Sequence, residues 1–214
     1  VYLNRFSGNV LSAKFEKVFL KNLWKGTTSR SGTGSSIEST AHLIKELPKV
    51  FSLLNIESIL DVPCGDLEWM PQVNLSQTKY IGADISPSLI EHLKVKFPER
   101  EFMVLDITKE LIPRVDLIFS RDLFVHLSNK DIRQALEIIK ASGSTYLAST
   151  TFTKLPKNEN LRFITREIAW RRINLQTKPY NFPKPEFILD EKCTEGNGLY
   201  ADKSIGFWKI EHLP

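Results

Sequence analysis

The sequence predicts an α/β fold: a mostly parallel, seven-stranded sheet with helices on both faces, ending in an antiparallel C-terminal hairpin strand. Three observations carry that prediction. Between residues 58 and 150, short apolar runs bounded by turn residues alternate with helical stretches. Strands buried on both faces read as such continuous runs, and the alternation with helices is the pattern of a parallel sheet. The first three runs each end at or near an aspartate, Asp61, Asp84 and Asp106. After a proline-rich aromatic stretch, the chain closes on two further strand-like runs joined by a glycine-containing turn.

In chain order, Phe15, Val18, Phe19 and Leu23 fall on one helical stripe. A small-residue loop, Gly26 to Ser36, follows. Ser35 with Glu38 gives the capping-box pattern that opens a second helix. Ile37, Ala41, Ile44, Leu47, Phe51 and Leu54 then recur at helical spacing. Strands are expected over 58–62, 80–85, 101–106, 115–120 and 145–150, with helices from near Pro87 and over Asn129–Ala141. Residues 154–185 have no clean period. The last strand candidates are 187–189 and 204–210, with Glu195-Gly196-Asn197-Gly198 as the hairpin connection.

With 214 residues the chain reads as one domain. A domain of this size buries roughly 70% of its unfolded surface, so it needs neither disulfides nor a structural metal. A hydrophobic share of 42% excludes a disordered chain. Cys64 and Cys193 are too few for a disulfide framework and lack metal-ligand spacing, which favours a reducing, cytoplasmic setting and no metal site. No apolar run approaches the roughly 20 residues that span a bilayer. Val1 to Val10 lacks a signal-peptide layout, so no membrane partner is expected, and a start at Val1 suggests a fragment or trimmed chain. The net charge of +4 permits an acidic partner without requiring one.

The strand-end aspartates carry the chemistry. In an open parallel sheet, ligands bind outside the carboxyl ends of the strands, at the point where strand order reverses. Gly65, in the Pro63-Cys64-Gly65-Asp66 turn, lets backbone approach a ligand closely. Asp84 follows at about the 20-residue spacing of an acidic side chain that binds ribose hydroxyls. Together these indicate an adenosine-containing cofactor. A dinucleotide needs three glycines to clear its pyrophosphate, whereas this loop has one and carries the acidic Asp66. S-adenosylmethionine, a sulfonium cation without phosphate, suits acidic residues instead.

The runs Ile59-Leu60-Asp61-Val62-Pro63-Cys64-Gly65-Asp66 with Trp69-Met70, Tyr80 to Ile85, Leu105-Asp106-Ile107-Thr108, and Asp116 to Asp122 with His126-Leu127 resemble class I S-adenosylmethionine-dependent methyltransferases. More narrowly, they resemble a bacterial group with a Pro-Cys-Gly-Asp-x-x-Trp-Met cofactor loop. The resemblance implies a Rossmann-like fold and extends from near Ser31 to Trp208. It implies that Asp61 and Gly65 lie against the methionine portion, that Asp84 holds the ribose and that Ile85 packs on the adenine. Asp106 would accept from the adenine amino group, with Ile107 beside it, and Ser120 and Arg121 would line the methyl-donor side. Pro63, Cys64, Asp66 and Trp69 complete the cofactor set, Cys64 as a structural thiol. The chain then divides into N-terminal helices and lid loop (1–55), cofactor core (56–153), substrate-side insertion (154–185) and terminal strand hairpin (186–214).

The acceptor is less legible. After the fourth strand stands Ser120-Arg121-Asp122-Leu123, not the Asn/Asp-Pro-Pro-aromatic run that suits exocyclic base amines. His126, with an ordinary pKa of about 6.5, is a candidate general base, and Asp122 is its rival. The insertion carries Arg162, Arg166, Arg171, Arg172 and Lys178 among Trp170, Tyr180 and Phe182. Guanidinium forks suit planar anions, so Arg171 and Arg172, with Asn174, are expected at an anionic or saccharide-linked small-molecule acceptor. The resemblance implies that the loop carrying Ser31 and Gly32 acts as a lid on the cofactor carboxylate or the acceptor. The leading expectation is O- or N-methyl transfer to a small metabolite. An RNA methyltransferase without a recognisable RNA module, and a non-catalytic cofactor-binding protein, remain the alternatives; nucleic acid is not the expected partner.

Overall fold

A computed structural model describes residues 10–163 and 169–214. The expectation placed on Arg166, and those on residues 1–9, lie outside the described residues.

The elements run α1 (Val10–Leu20), α2 (Ile37–Leu53), β1 (Ser58–Asp61), β2 (Lys79–Asp84), α3 (Pro87–Lys96), β3 (Glu101–Val104), β4 (Leu117–Ser120), α4 (Asn129–Ala141), β5 (Tyr146–Phe152), β6 (Arg162–Phe163), β7 (Ala169–Trp170), β8 (Phe187–Asp190) and β9 (Lys203–Lys209). Seven strands form one sheet in the order β3-β2-β1-β4-β5-β9-β8. The first five are parallel, while β9 runs antiparallel between β5 and β8. Strand order reverses between β1 and β4, so the crevice at their carboxyl ends is the natural ligand site.

Alternate side chains of each strand feed separate cores. Leu60, Ile81, Ile118 and Leu147 pack with Ile132, Ala135, Leu136 and Ile139 of α4 on one face. Ile59, Tyr80, Leu117 and Phe119 pack with Leu43 and Leu47 of α2 and Leu89, Ile90 and Leu93 of α3 on the other. The helix starts follow local capping chemistry. Ser86 and Ser128 each accept a backbone N–H two or three residues into α3 and α4, and Pro87 occupies the first turn of α3, where its missing donor is harmless.

Three expectations need correction. The cap of α2 is Ser36, accepting from the Ser39 N–H, because Ser35 is taken up in a short 3-10 turn over Thr33–Ser35. The buried face of α2 is Thr40, Leu43, Leu47, Val50 and Phe51, leaving Ile37 and Ala41 exposed. Thr40 tolerates burial because its hydroxyl donates to the Ser36 carbonyl at 2.7 Å. Finally, Glu195–Gly198 is not a tight hairpin turn; it is one 3-10 segment within the long connection from Asp190 to Lys203. The short β6–β7 pair within 154–185 had no readable period.

Candidate functional site

The floor of the crevice is two buried carboxylates. Asp61 ends β1, and its Oδ2 accepts the Tyr80 hydroxyl at 2.6 Å. Asp84 ends β2 and accepts the Ser86 N–H at 3.0 Å and the Gly65 N–H at 3.3 Å. Burial pushes the Asp61 carboxyl up to about 7, helped by the nearby Asp84 and opposed by the Tyr80 hydroxyl and Arg121. Burial likewise raises Asp84 to about 6, against its backbone hydrogen bonds. Two carboxyls in a dry floor form a site that a cation would stabilise. Each oxygen keeps a further lone pair for a ligand donor.

Gly65 sits at φ +57°, and a Cβ there would lie 2.5 Å from the Ser31 hydroxyl. The close approach that requires glycine is therefore the approach of the 26–36 loop. Asp66 fastens that loop: its carboxylate accepts from the Ser29 hydroxyl at 2.9 Å, the Arg30 N–H at 2.5 Å and the Ser31 hydroxyl at 3.2 Å. The Asp66 N–H in turn donates to the Ser31 hydroxyl. α1 forms the other wall, bringing Phe15, Val18 and Phe19 to the cleft. It is tied down by Glu16, which accepts from the Ser86 and Ser88 hydroxyls at the start of α3. Asp106 lies just past β3, accepting from the Thr108 N–H at 3.0 Å and from its hydroxyl at 2.6 Å, with Lys109 3.2 Å away. Cys64 is buried with its thiol pushed well up by burial and by Asp84 and Asp61, so it stays protonated.

Beyond β4 the site becomes a charge network. Arg121 donates to Glu191 at 2.7 Å and to the Gly34 carbonyl of the 26–36 loop at 3.0 Å, with its guanidinium over Trp69. Lys203 pairs with Asp122 at 2.6 Å and lies 3.6 Å from Glu191. Burial would raise the Asp122 carboxyl, but Lys203 and Arg121 outweigh it and hold the group well below the usual range. His126 is held below its ordinary value, chiefly by burial. Its Nδ1 lies 2.7 Å from the Ala169 carbonyl. That contact assigns the proton to Nδ1 and leaves Nε2 as the acceptor.

Two cavities meet here. The cleft runs from the aspartate floor past Trp69, Ile85 and Ile107, and encloses about 1150 Å³ including its mouth. A second, more open chamber, about 880 Å³ including the solvent at its mouth and lined by Phe152, Trp170, Tyr200 and Lys203, adjoins it. Trp24, Ser31, Ser35, Asp122 and His126 border both.

Asp61, Pro63, Cys64, Gly65, Asp66, Trp69, Asp84, Ile85, Asp106, Ile107 and Arg121 thus come together around the cleft. Ser31 and Gly32 line the chamber. Ser120 does not reach either cavity; it is fully buried in the sheet. Nor do Arg171, Arg172 and Asn174. Arg171 is buried and spends its Nη2 on the Leu127 carbonyl, Asn129 and the Tyr180 hydroxyl. Arg172 pairs with Glu159 at 2.5 Å, and Asn174 bonds to backbone at Leu155 and Gln176. Sequence reasoning missed Glu16, Glu191, Lys203 and Tyr200. The usable signal was a lysine and a glutamate flanking apolar strand runs, which are costly to bury unless paired.

Residues 59–142 match a protein-family model described as a methyltransferase domain. A search of curated protein sequences gives no match. Among solved structures, the chain is similar to the 1,6-didemethyltoxoflavin-N1-methyltransferase of Burkholderia thailandensis, solved with 1,6-didemethyltoxoflavin and S-adenosylhomocysteine. Identity is 12% over 94% of this chain and 87% of that one, with a TM-score of 0.64. The chain has the Rossmann-like methyltransferase fold. An S-adenosylmethionine-dependent methyltransferase from Clostridium acetobutylicum ATCC 824 aligns at 11% identity over 79% of this chain and 91% of that one, TM-score 0.57. The PH0226 protein of Pyrococcus horikoshii OT3 aligns at 17% identity over 83% and 93%, TM-score 0.55. The matched stretch 59–142 of this methyltransferase fold holds all three strand-end aspartates and His126. Among the described residues no helix is long and apolar enough to cross a membrane, and no cluster of metal-ligating side chains occurs.

Proposed function

We propose that this chain is an S-adenosylmethionine-dependent methyltransferase acting on an oxygen or nitrogen atom of a small molecule. The observation that carries the reading is the paired carboxylate floor of Asp61 and Asp84 at the strand-order reversal, in a cleft that shares His126, Asp122 and Trp24 with a second chamber. The family match over 59–142 supports the activity class, and the Burkholderia enzyme, solved with S-adenosylhomocysteine, supports the cofactor.

The residues fit the cofactor. Asp61 and Asp84 answer its cationic and hydroxyl groups, Ile85 and Ile107 offer apolar contact to a base, and Asp106 offers an acceptor. When bound, the cofactor supplies an electrophilic methyl group. The protein then aligns the acceptor and, where a proton must leave, takes it. His126 is the proposed base, with Nε2 free to accept while Nδ1 is engaged at Ala169. Asp122, held ionised by Lys203, is better placed to steady the imidazolium than to act as base. The anionic or saccharide-linked acceptor expected from Arg171 and Arg172 loses its support, since both guanidinium groups are committed elsewhere.

Calorimetric titration with S-adenosylhomocysteine, with NAD and an Asp84→Ala variant as controls, tests the reading. Selective binding that weakens at least tenfold in the variant is expected. Folded protein that ignores S-adenosylhomocysteine overturns it.

A further inference from the structure

The second chamber has walls that no charge argument explains. Phe152, Trp170 and Tyr200 pack edge to face, with ring centroids 5.2 Å apart for Trp170–Tyr200 and 6.0 and 6.1 Å for the Phe152 pairs. Across the passage, Trp24 lies 4.9 Å from the His126 ring. These rings come from four separate segments, the turn after α1, β5, β7 and the β8–β9 connection. Phe152 is the buried centre of a small core with Val125 and Leu155, and Trp170 and Tyr200 pack against that core with one side left toward the chamber.

The charges of the chamber point the same way. Lys203 is the one cationic side chain among its described lining residues, and Asp122 neutralises it at 2.6 Å. Glu195 adds a carboxylate that accepts the Thr33 hydroxyl at 2.7 Å. An anionic guest would meet no unspent cation and would face the Glu195 carboxylate. A flat, uncharged guest would instead bury apolar surface against the Trp24, Trp170 and Tyr200 rings, which favour stacked or edge-to-face contacts, with Phe152 backing them.

We infer that the acceptor is a planar, uncharged aromatic or heteroaromatic molecule, seated among Trp24, Phe152, Trp170 and Tyr200 with its reactive O–H or N–H turned toward His126 Nε2. This rests on the methyltransferase reading above. In the transfer, the acceptor gives its proton to Nε2. Its freed electron pair forms the new bond to the methyl carbon, and the carbon–sulfur bond breaks, leaving a neutral thioether. The imidazolium so formed lies beside the Asp122 carboxylate, which favours the charged ring.

Calorimetry on the S-adenosylhomocysteine complex tests the inference with three probes: 4-hydroxyquinoline, quinoline-4-carboxylate and glucose 1-phosphate. The neutral bicycle should bind at least tenfold more tightly than either anion. Trp170→Leu and, as an independent substitution, Tyr200→Leu should each weaken it severalfold while leaving S-adenosylhomocysteine affinity unchanged. Equal or tighter binding of an anion, no binding of the neutral ring, or insensitivity to both substitutions in folded protein overturns the aromatic acceptor. Loss of S-adenosylhomocysteine binding by the native chain would instead sink the underlying methyltransferase reading, so the two failures are distinguishable.

Discussion

Replacing Asp61 by asparagine should stabilise the protein, and by more at high pH than at low. The native carboxyl titrates near 7 because burial disfavours its charge, against 3.8 for the ordinary group. A folded-state pKa raised above the unfolded one means that the native state binds more protons between those two values. Stability therefore falls as pH rises through that window. At 1.36 kcal/mol per tenfold, the ionised form costs nothing below about pH 3, about 1.5 kcal/mol at pH 5 and about 4 kcal/mol above pH 7. Asparagine removes the charge but keeps an oxygen for the Tyr80 hydroxyl, which donates to Asp61 at 2.6 Å. The stability difference between Asp61→Asn and the native chain should thus widen by about 2.5 kcal/mol from pH 5 to pH 8.5. Urea denaturation at both pH values reads this directly, as a midpoint difference that grows by about 1 M for a urea slope of 2–3 kcal/mol/M. Comparing the two proteins at each pH cancels titrations that they share. A difference that stays constant would mean Asp61 is ionised throughout, and the floor is not the dry cation site inferred here. The same variant should lose S-adenosylhomocysteine affinity, since a neutral amide no longer attracts the ligand's ammonium group.

Two further outcomes follow from the same geometry. Binding of S-adenosylhomocysteine, whose ammonium and ribose hydroxyl groups would meet carboxyls raised to about 7 and 6, should release protons near pH 6.5. Affinity should accordingly rise from pH 5 and level off above pH 8. Titrations in phosphate and Tris, which differ in ionisation enthalpy, count the protons, and a count of zero at pH 6.5 contradicts the linkage. Gly65→Ala should cost about 1–2 kcal/mol from its left-handed backbone alone. The new Cβ would also press on Ser31, so weaker cofactor binding and faster proteolysis of the 26–36 loop are expected; an unchanged melting temperature with unchanged affinity would refute the loop-contact argument.

The parts of this site that were legible are those made by local rules. Asp61 and Asp84 end apolar runs that read as buried parallel strands, Asp106 follows the half-exposed edge strand β3, and the turn after β1 needs Gly65. The face of α2 was misjudged because two apolar stripes overlap in its sequence, and the inward one includes a threonine that hides its hydroxyl against Ser36. Arg171 and Arg172 misled for a different reason. Net positive charge in a segment says nothing about where each guanidinium ends, and here Asn129, Tyr180 and Glu159 claim them.

The acceptor side was illegible because it is assembled from distant segments around one side chain. Arg121 stands at the end of β4, yet its guanidinium holds Glu191, which follows β8, and the Gly34 carbonyl of the 26–36 loop, while lying over Trp69 of the cofactor loop. Glu191 in turn faces Lys203 of β9, which fixes Asp122 next to His126. A buried chain of two cations and two carboxylates is a poor source of net stability, since apolar residues of similar volume would usually do as well. Its effect here is geometric. It ties the 26–36 loop, Trp69 and the β8–β9 connection to the residues that follow β4, beside His126 where the two cavities share their lining. Only the three-dimensional pairing of Glu191 and Lys203 with Arg121 and Asp122 reveals that arrangement, because no spacing rule links residues 70 and 81 positions apart.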